Sequence, residues 1–122
     1  MKLHATSASG ANTITAYGDD YVAVNGARRD RNVIVTAGEV RDWNAADFEH
    51  LSAEDFAELA RLGVEIVLLG TGKRQRFPHP RLTAALGAAR VGLEVMDSKA
   101  ACRTYNILVA EERRVALALL FE

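Results

Sequence analysis

Two stretches of this chain are apolar at nearly every position, residues 64–69 and 115–121. Strands buried on both faces need such runs, whereas half-buried strands alternate. A third apolar piece, residues 93–96, is shorter. Between these strands the period lengthens to that of a helix. Leu82, Ala85, Leu86 and Ala89 form one stripe behind Pro80, a residue suited to a first helical turn. Asp97 is placed to cap a helix over residues 98–111. Strand, helix, strand, helix, strand predicts parallel pairing with right-handed crossovers.

The first third of the chain reads differently. Residues 12–17 alternate as a strand, Gly18-Asp19-Asp20 turns it, and residues 21–24 read as the next strand. Asn25-Gly26 is a type I′ hairpin signal. The following strand is expected at 32–36, with Arg28, Arg29 and Arg31 decorating the exposed hairpin. Residues 39–43 form a short extended piece ending on Trp43, expected in the core or in a lid. A first helix starts after Ser52, with Asp55 completing an approximate capping box and Leu51 and Phe56 at staple positions. Phe56, Leu59, Ala60 and Gly63 share a face, and Gly63 is a natural stop. The predicted fold class is therefore α/β: one three-layer domain over 1–122. Its mixed sheet has a parallel βαβαβ C-terminal part, and the N-terminal hairpin forms an additional β layer. Residues 1–10 are small and polar and are expected to lack regular order.

Length and charge narrow the function. The 122 residues fit one domain. Fifteen basic against sixteen acidic residues leave a formal net charge of −1, which argues against a general nucleic-acid binder. The charge is local. No acidic residue stands between Glu65 and Glu94, while Lys73, Arg74, Arg76, Arg81 and Arg90 all fall there. A single cysteine, Cys102, rules out a disulfide within the chain. His4, His50 and His79 stand at no metal-ligand spacing. The first residues read as neither a signal nor a transit peptide, and no window approaches the roughly 20 apolar residues of a membrane span. The expectations are a cytoplasmic protein, no cofactor, no metal, no nucleic acid and no membrane span.

The candidate chemistry lies after the first apolar strand. Gly70-Thr71-Gly72-Lys73-Arg74 puts a tight turn and positive charge beyond a strand end, where ligands of α/β proteins sit. It is not a Walker loop, which needs four residues before Gly-Lys and a hydroxyl after, and it lacks the third glycine of a dinucleotide fingerprint. It is a plain tight turn or one whose N–H groups face an anion. Asp97, Arg103 and Asn106 form the second group. Asp97 is fully explained as a helix cap. Lys99, Arg103 and Asn106 share a helix face that is either simply solvated or part of a cleft with the glycine loop. Thr104 and Tyr105 are expected to pack, Cys102 to be a small buried residue without a base beside it, and His79 to cap the second helix.

The run 68–75, Leu-Leu-Gly-Thr-Gly-Lys-Arg-Gln, is followed by Pro78; residues 92–97 and 101–108 form a second motif. Together they resemble a family of small α/β proteins of unknown biochemical function. Its eukaryotic branch includes the mitochondrial complex I assembly factor 3. The resemblance implies a three-layer α/β fold and, for mitochondrial members, a role in assembly through protein contacts. It supplies no catalytic residues. Two functions follow. One is a non-enzymatic binding or assembly module, its partner a protein. The other is a small enzyme or binding protein for an anionic metabolite or nucleotide. The first would use an anion-favouring cleft of Gly70, Thr71, Gly72, Lys73, Arg74, Asp97, Arg103 and Asn106, or an exposed sheet face; the second would use the same cleft.

Overall fold

A computed structural model describes residues 10–122. The expectation for residues 1–10 falls, apart from Gly10, outside them. Strands β1 (Ile14–Tyr17), β2 (Val22–Val24) and β3 (Ala27–Arg29) form a three-stranded antiparallel sheet in that order. Five more strands make a mixed sheet: β4 (Val33–Val35), β5 (Val40–Asp42), β6 (Ile66–Gly70), β7 (Gly92–Met96) and β8 (Val115–Leu119). Their order is β5-β4-β8-β6-β7. β6 pairs in parallel with both β7 and β8, while β4 runs antiparallel to β8 and to β5. Helices α1 (Ala53–Ala60), α2 (Ala84–Ala88) and α3 (Ser98–Ala110) complete the fold.

Period-two geometry explains why the central strands read as continuous apolar runs. Val115, Leu117 and Leu119 of β8 face one core, with Leu68, Val33 and Val35. Ala116, Ala118 and Leu120 face another, with Val67, Leu69 and Ile34. The first core is closed by α3, through Ala101, Cys102, Tyr105 and Val109, and by Ile14, Tyr17, Val22 and Val24 of the small sheet. The second is closed by Phe56 and Leu59 of α1, Leu86 of α2, and Trp43. Small sheet with α3, large sheet, and α1 with α2 are the three expected layers.

The local signals act as expected, with three differences. Ser52 Oγ accepts from the Asp55 amide and Asp55 accepts from the Ser52 amide, so the capping box is complete. Asn25 and Gly26 both take positive φ, 51° and 84°, as the hairpin turn requires. That hairpin returns into β3, a short strand not anticipated because its sequence, Ala-Arg-Arg, is neither apolar nor alternating. The strand expected at 32–36 belongs to the large sheet, where it pairs with β8. Its three consecutive apolar residues are explained by burial on both faces. The helix behind Pro80 begins as a 3₁₀ turn, Pro80–Thr83, before α2, and His79 Nδ1 accepts from the Arg81 amide. Trp43 is buried and meets Phe56 edge-on, with ring centroids 6.5 Å apart.

Candidate functional site

The Gly-Thr-Gly turn is locked into the fold. Gly70 ends β6, and a Cβ there would lie 3.0 Å from the Ser98 Cα. Thr71 is fully buried. Its amide donates to the Met96 carbonyl at 2.9 Å, and its hydroxyl accepts from the Arg76 amide at 3.0 Å and lies 2.7 Å from the Arg74 carbonyl. Gly72 takes φ +89°, the left-handed region open to glycine. Its amide donates to Ser98 Oγ at 2.8 Å, and its carbonyl accepts from the Ser98 amide at 2.8 Å. Ser98 Oγ donates onward to the Leu120 carbonyl at 3.1 Å. The loop therefore clamps the ends of β6 and β8 to the first turn of α3. The Thr71 and Gly72 amides are consumed by the protein itself, so they do not form an anion cradle.

Arg76 reinforces the clamp. Its guanidinium donates to the Thr71 carbonyl at 3.2 Å, pairs with Glu122 at 3.0 Å, and lies 4.4 Å over the Phe48 ring. The neighbouring loop residues stay outside. Lys73, Arg74, Gln75 and Phe77 are exposed, Phe77 to 70%. Gln75 reaches across to β7, its Nε2 donating to the Val95 carbonyl at 2.8 Å.

A small cleft of about 170 Å³ opens between this loop and α3, lined by Gly18, Asp19, Gly72, Lys73, Asp97, Ser98 and Lys99. Its charges are mixed. Lys99 Nζ meets Asp19 at 2.9 Å, and this hydrogen bond, with the Lys99 charge and more distantly Lys73, holds the Asp19 carboxyl below its ordinary value. Asp97 accepts from the Ala100 amide at 3.0 Å, and Gly72 occupies the Ser98 amide, so two N–H groups of the first turn are already satisfied. Ordinary small-molecule pockets begin near ~300 Å³, so this cleft suits one side chain or a small inorganic group better than a nucleotide.

A family profile described as a protein of unknown function (DUF498/DUF598) matches residues 14–120. The chain belongs to this family. A crystal structure of a Bordetella parapertussis protein superposes with a TM-score of 0.87 at 42% identity, covering 95% of this chain and 100% of that one. The bovine NADH dehydrogenase [ubiquinone] 1 alpha subcomplex assembly factor 3 is 30% identical over 109 residues, 88% of this chain and 59% of the assembly factor. The chain thus spans about three-fifths of the length of that relative. A Francisella tularensis protein named 13 kDa major membrane protein is 38% identical over 90 residues, 72% of this chain and 73% of that protein. Among the described residues here, no helix is long and apolar enough to cross a membrane.

In this DUF498/DUF598 chain the eight residues singled out by sequence fall into three groups. Gly72, Lys73 and Asp97 line the cleft. Gly70 and Thr71 are buried beneath it, and Arg74 is exposed on the loop beyond. Arg103 and Asn106 lie further along α3, against the small sheet. Arg103 donates to the Tyr17 hydroxyl at 3.0 Å. Asn106 bridges β1, accepting from the Ile14 amide at 2.9 Å and donating to the Ile14 carbonyl at 2.8 Å. Sequence reasoning did not single out Ser98, Gln75 and Phe77. A serine beside a helix cap has no distinguishing pattern. Phe77 did carry a signal: a large apolar residue in a basic, aperiodic loop, with no strand or helix to explain it.

Cys102 lies on the buried face of α3. Desolvation pushes its thiol up from 9.0 to about 12, against a smaller pull from Arg103. A protonated, buried thiol is a packing group, not a nucleophile.

Proposed function

We propose that this chain is a non-enzymatic protein-binding module that aids assembly of larger complexes, and that its partner surface is the loop 73–79 at the rim of the cleft. The observation that carries this reading is Phe77, 70% exposed on a rigidly anchored loop, three residues after the exposed Arg74 and four before the exposed Arg81. Neither guanidinium has an ion-pair partner among the described residues. An exposed aromatic with arginines close to it in sequence matches the composition of protein-interface hot spots. The assembly-factor relatives support the same reading, and the NADH dehydrogenase subcomplex in their name is the first partner to test. The small-anion alternative is less well served. The cleft is small, two carboxylates line it, and the glycine-loop amides are occupied.

The test is affinity capture from native cells with the full chain. Three baits are compared: wild type, Arg74→Glu with Phe77→Ser, and Arg28→Glu on the distant hairpin. The loop variant should lose its specific partner while Arg28→Glu keeps it, with circular dichroism showing all three folded. The reverse pattern places the surface on the wrong side of the molecule. In parallel, phosphates, nucleotides and carboxylates should leave the melting temperature unchanged. A ligand at about 100 times its dissociation constant would add about 2.7 kcal/mol, so a clear upward shift favours the anion reading.

A further inference from the structure

Strand β7 closes the large sheet on one side only: among the described residues it pairs with β6 and with nothing beyond. Its peptide groups divide by parity. The Gly92 amide donates to the Glu65 carbonyl at 2.9 Å, and the Met96 carbonyl accepts from Thr71 at 2.9 Å. Gly92, Glu94 and Met96 therefore turn their N–H and C=O groups toward β6. In a parallel ladder the alternate residues, Leu93 and Val95, turn theirs to the open edge. Of those four outward groups one is occupied, the Val95 carbonyl, by the Gln75 carboxamide at 2.8 Å. A carboxamide is chemically a peptide group. Gln75 thus sits where the N–H of a further strand would donate.

Exposed edges are ordinarily blunted by proline, lysine, a bulge or a covering element. β7 contains no proline or lysine, and its pairing with β6 runs without a bulge. Around it basic charge predominates, against Glu94 on the strand and Asp97 directly after it. Arg74 precedes Gln75, Arg81 lies on the helical segment leading to β7, and Arg90 stands two residues before it. All three are exposed and have no ion-pair partner among the described residues. Glu94 is the only acid from residue 66 to residue 96.

We infer that β7 is a docking edge, on which a partner protein adds an extended acidic segment as a sixth strand of the sheet. This inference rests on the reading of the chain as a protein-binding module and names the chemistry of the partner. Backbone pairing supplies affinity, and the three guanidinium groups select acidic side chains flanking the added strand. A second copy of the chain fits less well. Antiparallel self-pairing brings Arg90 of each copy toward the other's Met96 end, where Arg74 follows in space through Gln75, so like charges oppose.

The probe is a seven-residue peptide alternating glutamate and valine, with two controls: its lysine–valine counterpart and the acidic peptide interrupted by a central proline. Each is titrated into the isotope-labelled full chain to about 1 mM, a range that reveals weak binding. The acidic peptide should shift the Leu93 and Val95 amide resonances and slow their hydrogen exchange by roughly fivefold or more, marking new hydrogen bonds. Neither control should do so. Arg74→Glu with Arg90→Glu, both surface changes, should weaken binding by about tenfold while leaving the spectrum folded. Silence at Leu93 and Val95, equal effects from the proline peptide, or indifference to the charge reversals overturns the inference. Shifts confined to the 73–79 loop overturn edge pairing but leave the binding-module reading standing, whereas silence at both places removes both. Protection that grows with protein concentration alone assigns the edge to a second copy and also overturns it.

Discussion

β7 and β8 are both five residues long, both follow a helix, and both pair in parallel with β6, yet they meet opposite fates. β8 has a neighbour on each side, β6 and β4, and all five of its residues are buried. β7 has one neighbour, and none of its residues is fully buried. The interior position turns β8 into the stability axis of both cores. The edge position leaves β7 with unspent backbone hydrogen bonds and a rim of unpaired arginines. Neighbouring positions of α3 repeat the contrast. Lys99, Arg103 and Asn106 are spent on the small sheet and its first turn. Ile107, one turn beyond Arg103, stands 57% exposed.

The sharpest way to break the contrast is to truncate matched leucines. Leu117→Ala on β8 removes a fully buried side chain and should cost about 2–5 kcal/mol, as cavity-forming leucine truncations do. Leu93→Ala on β7 removes a half-buried one and should cost about 1 kcal/mol. Urea midpoints at constant slope measure both. Equal losses would mean that β7 is covered in solution.

A second test compares two neighbouring residues of α3. Asn106→Ala deprives both polar groups of the fully buried Ile14 of their partner, and should cost about 1–3 kcal/mol. Its neighbour change Ile107→Ala should fall within about 0.5 kcal/mol of wild type. Hydrogen exchange at the Ile14 amide should accelerate in the first variant only.

A third test concerns pH. Burial raises the Cys102 thiol from 9.0 to about 12, so the folded chain keeps a proton that the unfolded chain loses. In that window the unfolded state binds fewer protons, and stability must fall as pH rises, by up to about 1.4 kcal/mol per unit. Tyr105, also raised by desolvation, adds a slope common to both chains. The difference between wild type and Cys102→Ala isolates the thiol. From pH 9 to 11 the variant should lose stability less steeply. Identical slopes, or rapid labelling of the native thiol by a bulky reagent, would show that Cys102 is open to water.

The two layers of core were legible because their cause is local and periodic. Runs such as Ile66–Gly70 and Val115–Leu119 announce burial on both faces, and Ser52, Asp97 and Pro80 announce helix starts. The candidate site was legible only in outline. Gly70, Thr71 and Gly72 were found as a turn, but their apparent freedom to hold an anion vanished once Ser98 and Met96 took their amides. Arg103 and Asn106 looked like a solvated face because the pattern of α3 cannot say that β1 lies against it.

The amino-acid order by itself determined which segments other than β3 become strands and helices, where most of them begin, and that positive charge gathers between β6 and β7. These properties depend on side-chain period, caps and composition within a few residues. Only the tertiary structure decided that β4 leaves the first hairpin to pair with β8, that β8 stands inside and β7 at the edge, and which arginines are spent. Strand order is fixed by hydrogen bonds between residues as far apart as Val33 and Leu119, and each such pairing wins by the joint packing of two cores. No local pattern records that competition, so the open edge and its unpaired charges become visible only when the sheet is assembled.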